Sequence, residues 1–126
     1  MARSLRLSVP IPNGASVAFL ELSPDGTRVL LRLNAGDSNA IYVRSLEAND
    51  PQLLTGSENA RAPFWSHDGR FIAFFANNGL KVIPSVGGPV RVLCRETGVG
   101  RGGTWNRDGV ILFASESGAV AGLRLD

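Results

Sequence analysis

One four-residue turn occurs three times in this chain, as Ser23-Pro24-Asp25-Gly26, Ser66-His67-Asp68-Gly69 and Asn106-Arg107-Asp108-Gly109, with the aspartates 43 and then 40 residues apart. The residue types have a local reason. Proline at the second position presets φ, the aspartate side chain accepts backbone N–H bonds of its own turn, and the glycine is free to take positive φ. Each copy is therefore predicted to close a hairpin, with Asp25, Gly26, Asp68, Gly69, Asp108 and Gly109 at the tips. A repeat of about 40 residues carrying several short strands is the signature of a β-propeller, one four-stranded blade per repeat.

Aligning the turns brings their flanks into register, and every flank is an apolar, β-branched or aromatic run of strand length. The innermost strands are predicted at Val17–Leu22, Ala62–Trp65 and Gly103–Trp105. Leu22, Trp65 and Trp105 thus share one repeat position, expected in the core between blades. The second strands are Arg28–Leu33, Arg70–Ala76 and Val110–Ala114; Phe71-Ile72-Ala73-Phe74-Phe75 is apolar on both faces, as a strand held between neighbouring blades requires. Third strands follow at Ala40–Leu46, Leu80–Ile83 and Val120–Leu125, and fourth strands at Gln52–Thr55 and Val90–Leu93. Asn77-Asn78-Gly79 and Val86-Gly87-Gly88-Pro89 read as further tight turns.

Blade 1 is expected over about residues 16–56, blade 2 over 60–95 and blade 3 over 100–126. The third repeat lacks a fourth strand. Leu5-Arg6-Leu7-Ser8-Val9 alternates apolar and polar residues and supplies a candidate, with Pro10 and Pro12 suited to an outer edge. Because Pro10 to Ser16 spans at most roughly 25 Å, this strand is expected to complete blade 3 of a partner chain rather than its own. The fold class read from the sequence is all-β: three four-stranded blades per chain, completing a six-bladed ring as a homodimer. A lone half-ring is expected to expose apolar blade faces built from Phe71, Phe74, Ile111 and Phe113.

Composition narrows the function classes. Thirteen Lys and Arg against eleven Asp and Glu give a net charge of only +2, with the basic residues scattered singly, so nucleic acid is not an expected partner. Cys94 is the single cysteine, which excludes an intrachain disulfide and a multi-cysteine zinc site and points to a small buried hydrophobe. Met1 to Pro12 has no uninterrupted apolar stretch and nothing elsewhere approaches a membrane span; the expectation is a cytoplasmic protein with no membrane partner.

With the turns and flanks in view, the sequence resembles the TolB-type, WD40-like propeller repeat. The stretch from Pro63-Phe64-Trp65-Ser66-His67-Asp68-Gly69-Arg70 through Gly102-Gly103-Thr104-Trp105-Asn106-Arg107-Asp108-Gly109-Val110-Ile111-Leu112-Phe113-Ala114 is similar to propeller domains that follow the kinase domain in many bacterial serine/threonine kinases. The resemblance runs from Leu5 onwards and implies rings of six or more blades. His67 departs from it where proline is usual, and Asn106-Arg107 where Ser-Pro is usual. It is informative about fold, since such repeats serve as sensor, docking or scaffold modules.

Several motifs have plainer readings. Gly98-Val99-Gly100-Arg101-Gly102-Gly103 matches a dinucleotide-binding fingerprint, but that motif needs a helix N-terminus after it, and a strand and hairpin follow here. Glycines that let backbones crowd near the axis explain it better. His67 beside Asp68 lies in a turn with no nucleophile motif, and the three turn aspartates lack the dense oxygen ligands of a calcium loop. No cofactor or metal is expected. Arg61 and Arg101 each lie four residues before a repeat tryptophan, in loops that rim a propeller channel. They are either solvated loop residues or the lining of an anion-binding axial pocket.

The leading functional expectation is a non-enzymatic propeller scaffold that self-assembles and docks a ligand or protein. Two alternatives stand beside it: a fragment of a longer sensor or kinase-associated propeller, and a propeller hydrolase or lyase with the arginines as electrophilic groups. The last lacks a credible base or metal set.

Overall fold

The three repeated turns close as hairpins, and their hydrogen bonds show why. In the computed structural model, which describes residues 11–47, 50–115 and 118–125, the glycine N–H of each turn donates to the carbonyl three residues before it: Gly26 to Ser23 at 2.9 Å, Gly69 to Ser66 at 3.1 Å and Gly109 to Asn106 at 3.2 Å. All three glycines have positive φ, between 75° and 81°. The Ser23 and Ser66 hydroxyls accept the N–H of Arg28 and Phe71, five residues on. In the third turn the Asn106 side-chain oxygen accepts from Val110, four residues on, so that hairpin is one residue tighter. Asn106 thus takes the serine's role with a longer side chain.

From these hairpins grow three antiparallel sheets. Blade 1 consists of β1 (Ala15–Leu22), β2 (Arg28–Ala35), β3 (Ser38–Ser45) and β4 (Gln52–Leu53) in spatial order. Blade 2 repeats the meander with β5 (Arg61–Trp65), β6 (Phe71–Ala76), β7 (Gly79–Pro84) and β8 (Arg91–Arg95). Blade 3 shows β9 (Gly102–Trp105), β10 (Val110–Ala114) and β11 (Val120–Arg124); the expected strand at Leu5–Val9 lies outside the described residues. Asn77 and Asn78 both adopt left-handed φ, at 51° and 62°, and link β6 to β7 as a two-residue hairpin loop.

The fourth strand of blade 1 is shorter than the expected Gln52–Thr55. After Leu53 the ladder is continued by other groups: Leu54 N–H still donates to the Ile41 carbonyl, and the buried Ser57 hydroxyl accepts from Ile41 N–H at 2.9 Å. The chain therefore turns inward, burying Leu54 without unpaired backbone.

Strand alternation sorts the apolar residues into two interfaces. Ile72, Phe74 and Trp65 of blade 2 meet Leu30, Ile41 and Val43 of blade 1, while Phe64, Ala73 and Phe75 meet Ile111 and Phe113 of blade 3. Phe74, Ile111 and Phe113 are therefore buried within one chain, contrary to the expectation that a half-ring exposes them, because Phe74 faces blade 1 while Ile111 and Phe113 face blade 2, and the chain itself supplies both contacts. A third cluster, Val29, Leu31 and Leu33, covers the leading face of blade 1 with Ile11, Ala15, Tyr42 and Leu46.

Candidate functional site

Three arginines from three blades line one depression at the inner edge of the molecule. Its volume is about 500 Å³, and its walls are Arg32, Arg61, Arg101, Ala62, Val99 and Gly100. Among the described residues no carboxylate lines it. Arg61 and Arg101, singled out from their spacing, are exposed and come together here.

Arg32 went unnoticed in the sequence. It interrupts the apolar run Val29-Leu30-Leu31-Arg32-Leu33, and one charge in a strand apolar on both faces was the signal available. Arg32 sits on the face of β2 that meets blade 2, where its Nε donates to the Ala60 carbonyl at 2.7 Å. The Asn39 amide, oriented to satisfy both its ends, accepts from Arg32 Nη2 at 3.3 Å and donates to the Ala60 carbonyl at 3.1 Å. This guanidinium is held in place before any ligand arrives.

Two backbone features aim the other arginines. Between Arg61 and Phe64 the β5–β6 register slips, and Ala62 takes φ of 49°, a left-handed conformation that costs a non-glycine residue about 1–2 kcal/mol. Such a bulge re-aims the side chains beside it. Arg101 is placed by its glycines. A Cβ on Gly100 would stand 2.1 Å from the Phe75 ring, and one on Gly103 would stand 2.7 Å from Phe64. The loop therefore lies flat against blade 2, and Arg101 N–H bonds to the Ala114 carbonyl at 3.1 Å. The glycine run serves close packing, with a strand directly after it.

The architecture has known counterparts. No family model and no curated protein matches the sequence. Among solved structures, the chain is similar to the putative TolB from Agrobacterium tumefaciens, with TM-score 0.69 and 20% identity over 86% of this chain and 44% of that one. It is likewise similar to the β-propeller domain of Cps50 (Swd1) from Myceliophteria thermophila, with TM-score 0.63 and 17% identity over 87% of this chain and 41% of the other. These are three blades of β-propeller type. The chain spans less than half the length of either structure, and likeness at this identity speaks for the fold.

Within that architecture the repeat position of Leu22, Trp65 and Trp105 takes three environments. Trp65 is buried between blades 1 and 2, its Nε1 donating to the Glu21 carbonyl at 3.1 Å and its ring lying 5.1 Å from the Arg28 guanidinium. Arg28 continues to the Ser85 hydroxyl and the Gly69 carbonyl, tying the two blades together. Trp105 is half-buried and stacks on Phe71 with centroids 6.2 Å apart. Leu22 was expected in the inter-blade core and is instead 53% exposed, because this position packs against the preceding blade and no blade precedes blade 1 among the described residues.

Asp25 and Asp68 hold their own hairpins through their carboxylates, whereas in the third turn the Asn106 side-chain oxygen accepts the N–H of Asp108 and of Val110. The three aspartates are not gathered into one site, and among the described residues no group of three or more His, Cys, Asp or Glu is placed to hold a metal. The Ser23 hydroxyl, then the Thr27 N–H and hydroxyl, lower the Asp25 carboxyl to about 2. The Arg70 N–H and the Ser66 hydroxyl hold Asp68 below its ordinary value against some desolvation. His67 is exposed on the rim of a cleft of about 340 Å³ that also meets Asp68, Phe71, Arg91, Trp105 and Arg107. Cys94, expected buried, is half-buried on β8, the outer strand of blade 2.

Proposed function

We propose that the chain is a non-enzymatic propeller scaffold whose two end blades take up further blades to close a ring, with a second copy as the partner. The observation that carries this reading is the contrast in exposure between the end blades and blade 2. On β1 the residues Leu20 and Leu22 are 61% and 53% exposed, and on the trailing face of blade 3 Leu112 is 47% exposed, whereas their counterparts Pro63, Trp65 and Ala73 in blade 2 are buried. Apolar surface at both ends of one molecule is satisfied by a closed two-fold arrangement, which covers both kinds of face at once and yields six blades, within the usual range. Arg44 supports the same reading. It occupies the repeat position of Ile83 and Leu123, is buried on the leading face of blade 1, and its Nε has no hydrogen-bond partner among the described residues. A neighbouring blade offering an acceptor there would satisfy it.

Sedimentation equilibrium tests the proposal. A mass twice the 13.4 kDa of the chain, lost on Leu20→Asp with Leu112→Asp, is expected; a monodisperse monomer overturns self-closure. A second reading is favoured by the partial coverage of the similar structures: the three blades are one part of a longer sensor or kinase-associated propeller whose remaining blades lie in the same chain. Both readings use the end faces as docking surfaces. A hydrolase or lyase is less well supported, since among the described residues the inner depression contains cationic groups with no base beside them.

A further inference from the structure

We infer that the inner-edge depression is a binding site for a small oxyanion carrying two or more negative charges, a phosphate group or a di- or tricarboxylate. The inference goes beyond the scaffold reading, because all three arginines belong to one chain and ring closure is not needed to assemble them.

Three lines of chemistry converge. Guanidinium groups present planar forks that match carboxylate and phosphate oxygens in pairs, and such charge-assisted bonds are about twice as strong as neutral ones. Like charges gathered with no carboxylate among the described lining residues repel one another, and a multivalent anion relieves that repulsion while being attracted by each. The remaining walls, Ala62, Val99 and Gly100, bring no side-chain acceptor that competes for the arginines. The site is also built rather than accidental. Arg32 is braced by the Ala60 carbonyl and the Asn39 amide, Arg61 follows from a strained bulge at Ala62, and Arg101 follows from a loop pressed onto Phe75 through Gly100. Groups fixed beforehand lose less freedom on binding.

The size of the depression sets the ligand class. A space of about 500 Å³ holds a small molecule, and basic residues elsewhere are too scattered to extend it into a track for a nucleic-acid backbone. The shared chemistry is therefore a compact, multiply charged oxyanion, and phosphate and citrate distinguish its two sources.

Calorimetric titration with inorganic phosphate and with citrate, at constant ionic strength set by sodium chloride, tests the site. One of the two is expected to bind and to raise Tm by about 5 °C at ten times its dissociation constant. Arg61→Ala and Arg101→Ala, both at exposed positions, are each expected to weaken binding at least tenfold, and together to abolish the Tm response. Arg61→Lys with Arg101→Lys keeps the charge but removes the forks, and intermediate binding is expected. Sedimentation of the same samples keeps the result separate from ring closure: loss of anion binding with unchanged mass supports the site. The inference is overturned if neither anion binds the parent protein, or if the double alanine variant binds as the parent does.

Discussion

Blades 1 and 2 are built from the same repeat, yet the same positions do different work in each. In blade 2 the central strand is buried on both faces, with Ile72 and Phe74 turned to blade 1 and Ala73 and Phe75 to blade 3. In blade 1 the trailing face is packed as tightly, through Leu30 and Ile41, but the leading face is covered in part and ends in exposed Leu20 and Leu22. Arg44 stands there where blade 2 has Ile83. A blade's sequence thus specifies a sheet, while its neighbours specify which of its residues become core.

That contrast is broken most severely by emptying the sandwiched blade. Phe75→Ala removes a ring that is tilted 5.8 Å from Phe113 and supports the Gly100 loop, and is expected to cost about 3–5 kcal/mol in urea unfolding. Leu112→Ala, on the open face of blade 3, is expected to cost less than about 0.5 kcal/mol in the monomer. Equal losses at the two sites would show that the open face is already buried in solution.

Next in size is Gly100→Ala. Its Cβ would stand inside the contact distance of the Phe75 ring, so the loop must lift, at about 1–3 kcal/mol. Phosphate or citrate binding is expected to weaken with it, since Arg101 rides on that loop. Gly87→Ala is the comparison: no neighbour crowds that exposed position, so the left-handed φ of 93° is the sole cost there, about 1 kcal/mol.

The repeat position offers a third test. Trp65→Phe loses the bond to the Glu21 carbonyl and weakens the stacking of Arg28, an expected loss of about 1–2 kcal/mol, while Leu22→Ala is expected to be nearly neutral in the monomer. If Leu22→Ala costs as much, blade 1 has found in solution a neighbour beyond the described residues.

The smallest effect lies in the turns. The carboxyl of Asp25 is depressed from 3.8 to about 2, so the stability it lends is complete above about pH 4 and is lost as pH falls toward 2. Asp25→Asn is expected to lower the urea midpoint at pH 7 and to match the parent near pH 2. A gap that stays constant across that range would assign the effect to shape rather than charge.

How much of this was legible beforehand differs by residue. The hairpins at Asp25-Gly26, Asp68-Gly69 and Asp108-Gly109 follow from turn chemistry that acts within five residues, and Val110–Ala114 was read at the bounds it has in the structure. The pairing of Arg61 with Arg101 was readable because both hold the same offset from a repeat tryptophan. Arg32 was not, since it belongs to a different strand of its repeat and reaches the other two only across a blade interface.

The sequence by itself determined the period and the hairpins at its turns, because side-chain alternation and backbone φ preferences are local. Which face of each strand is buried, why Leu22 is exposed where Trp65 is not, and which arginines share one depression were decided by the tertiary structure alone. Burial and charge convergence depend on what packs opposite, and residues far apart in the chain meet only when whole sheets are stacked.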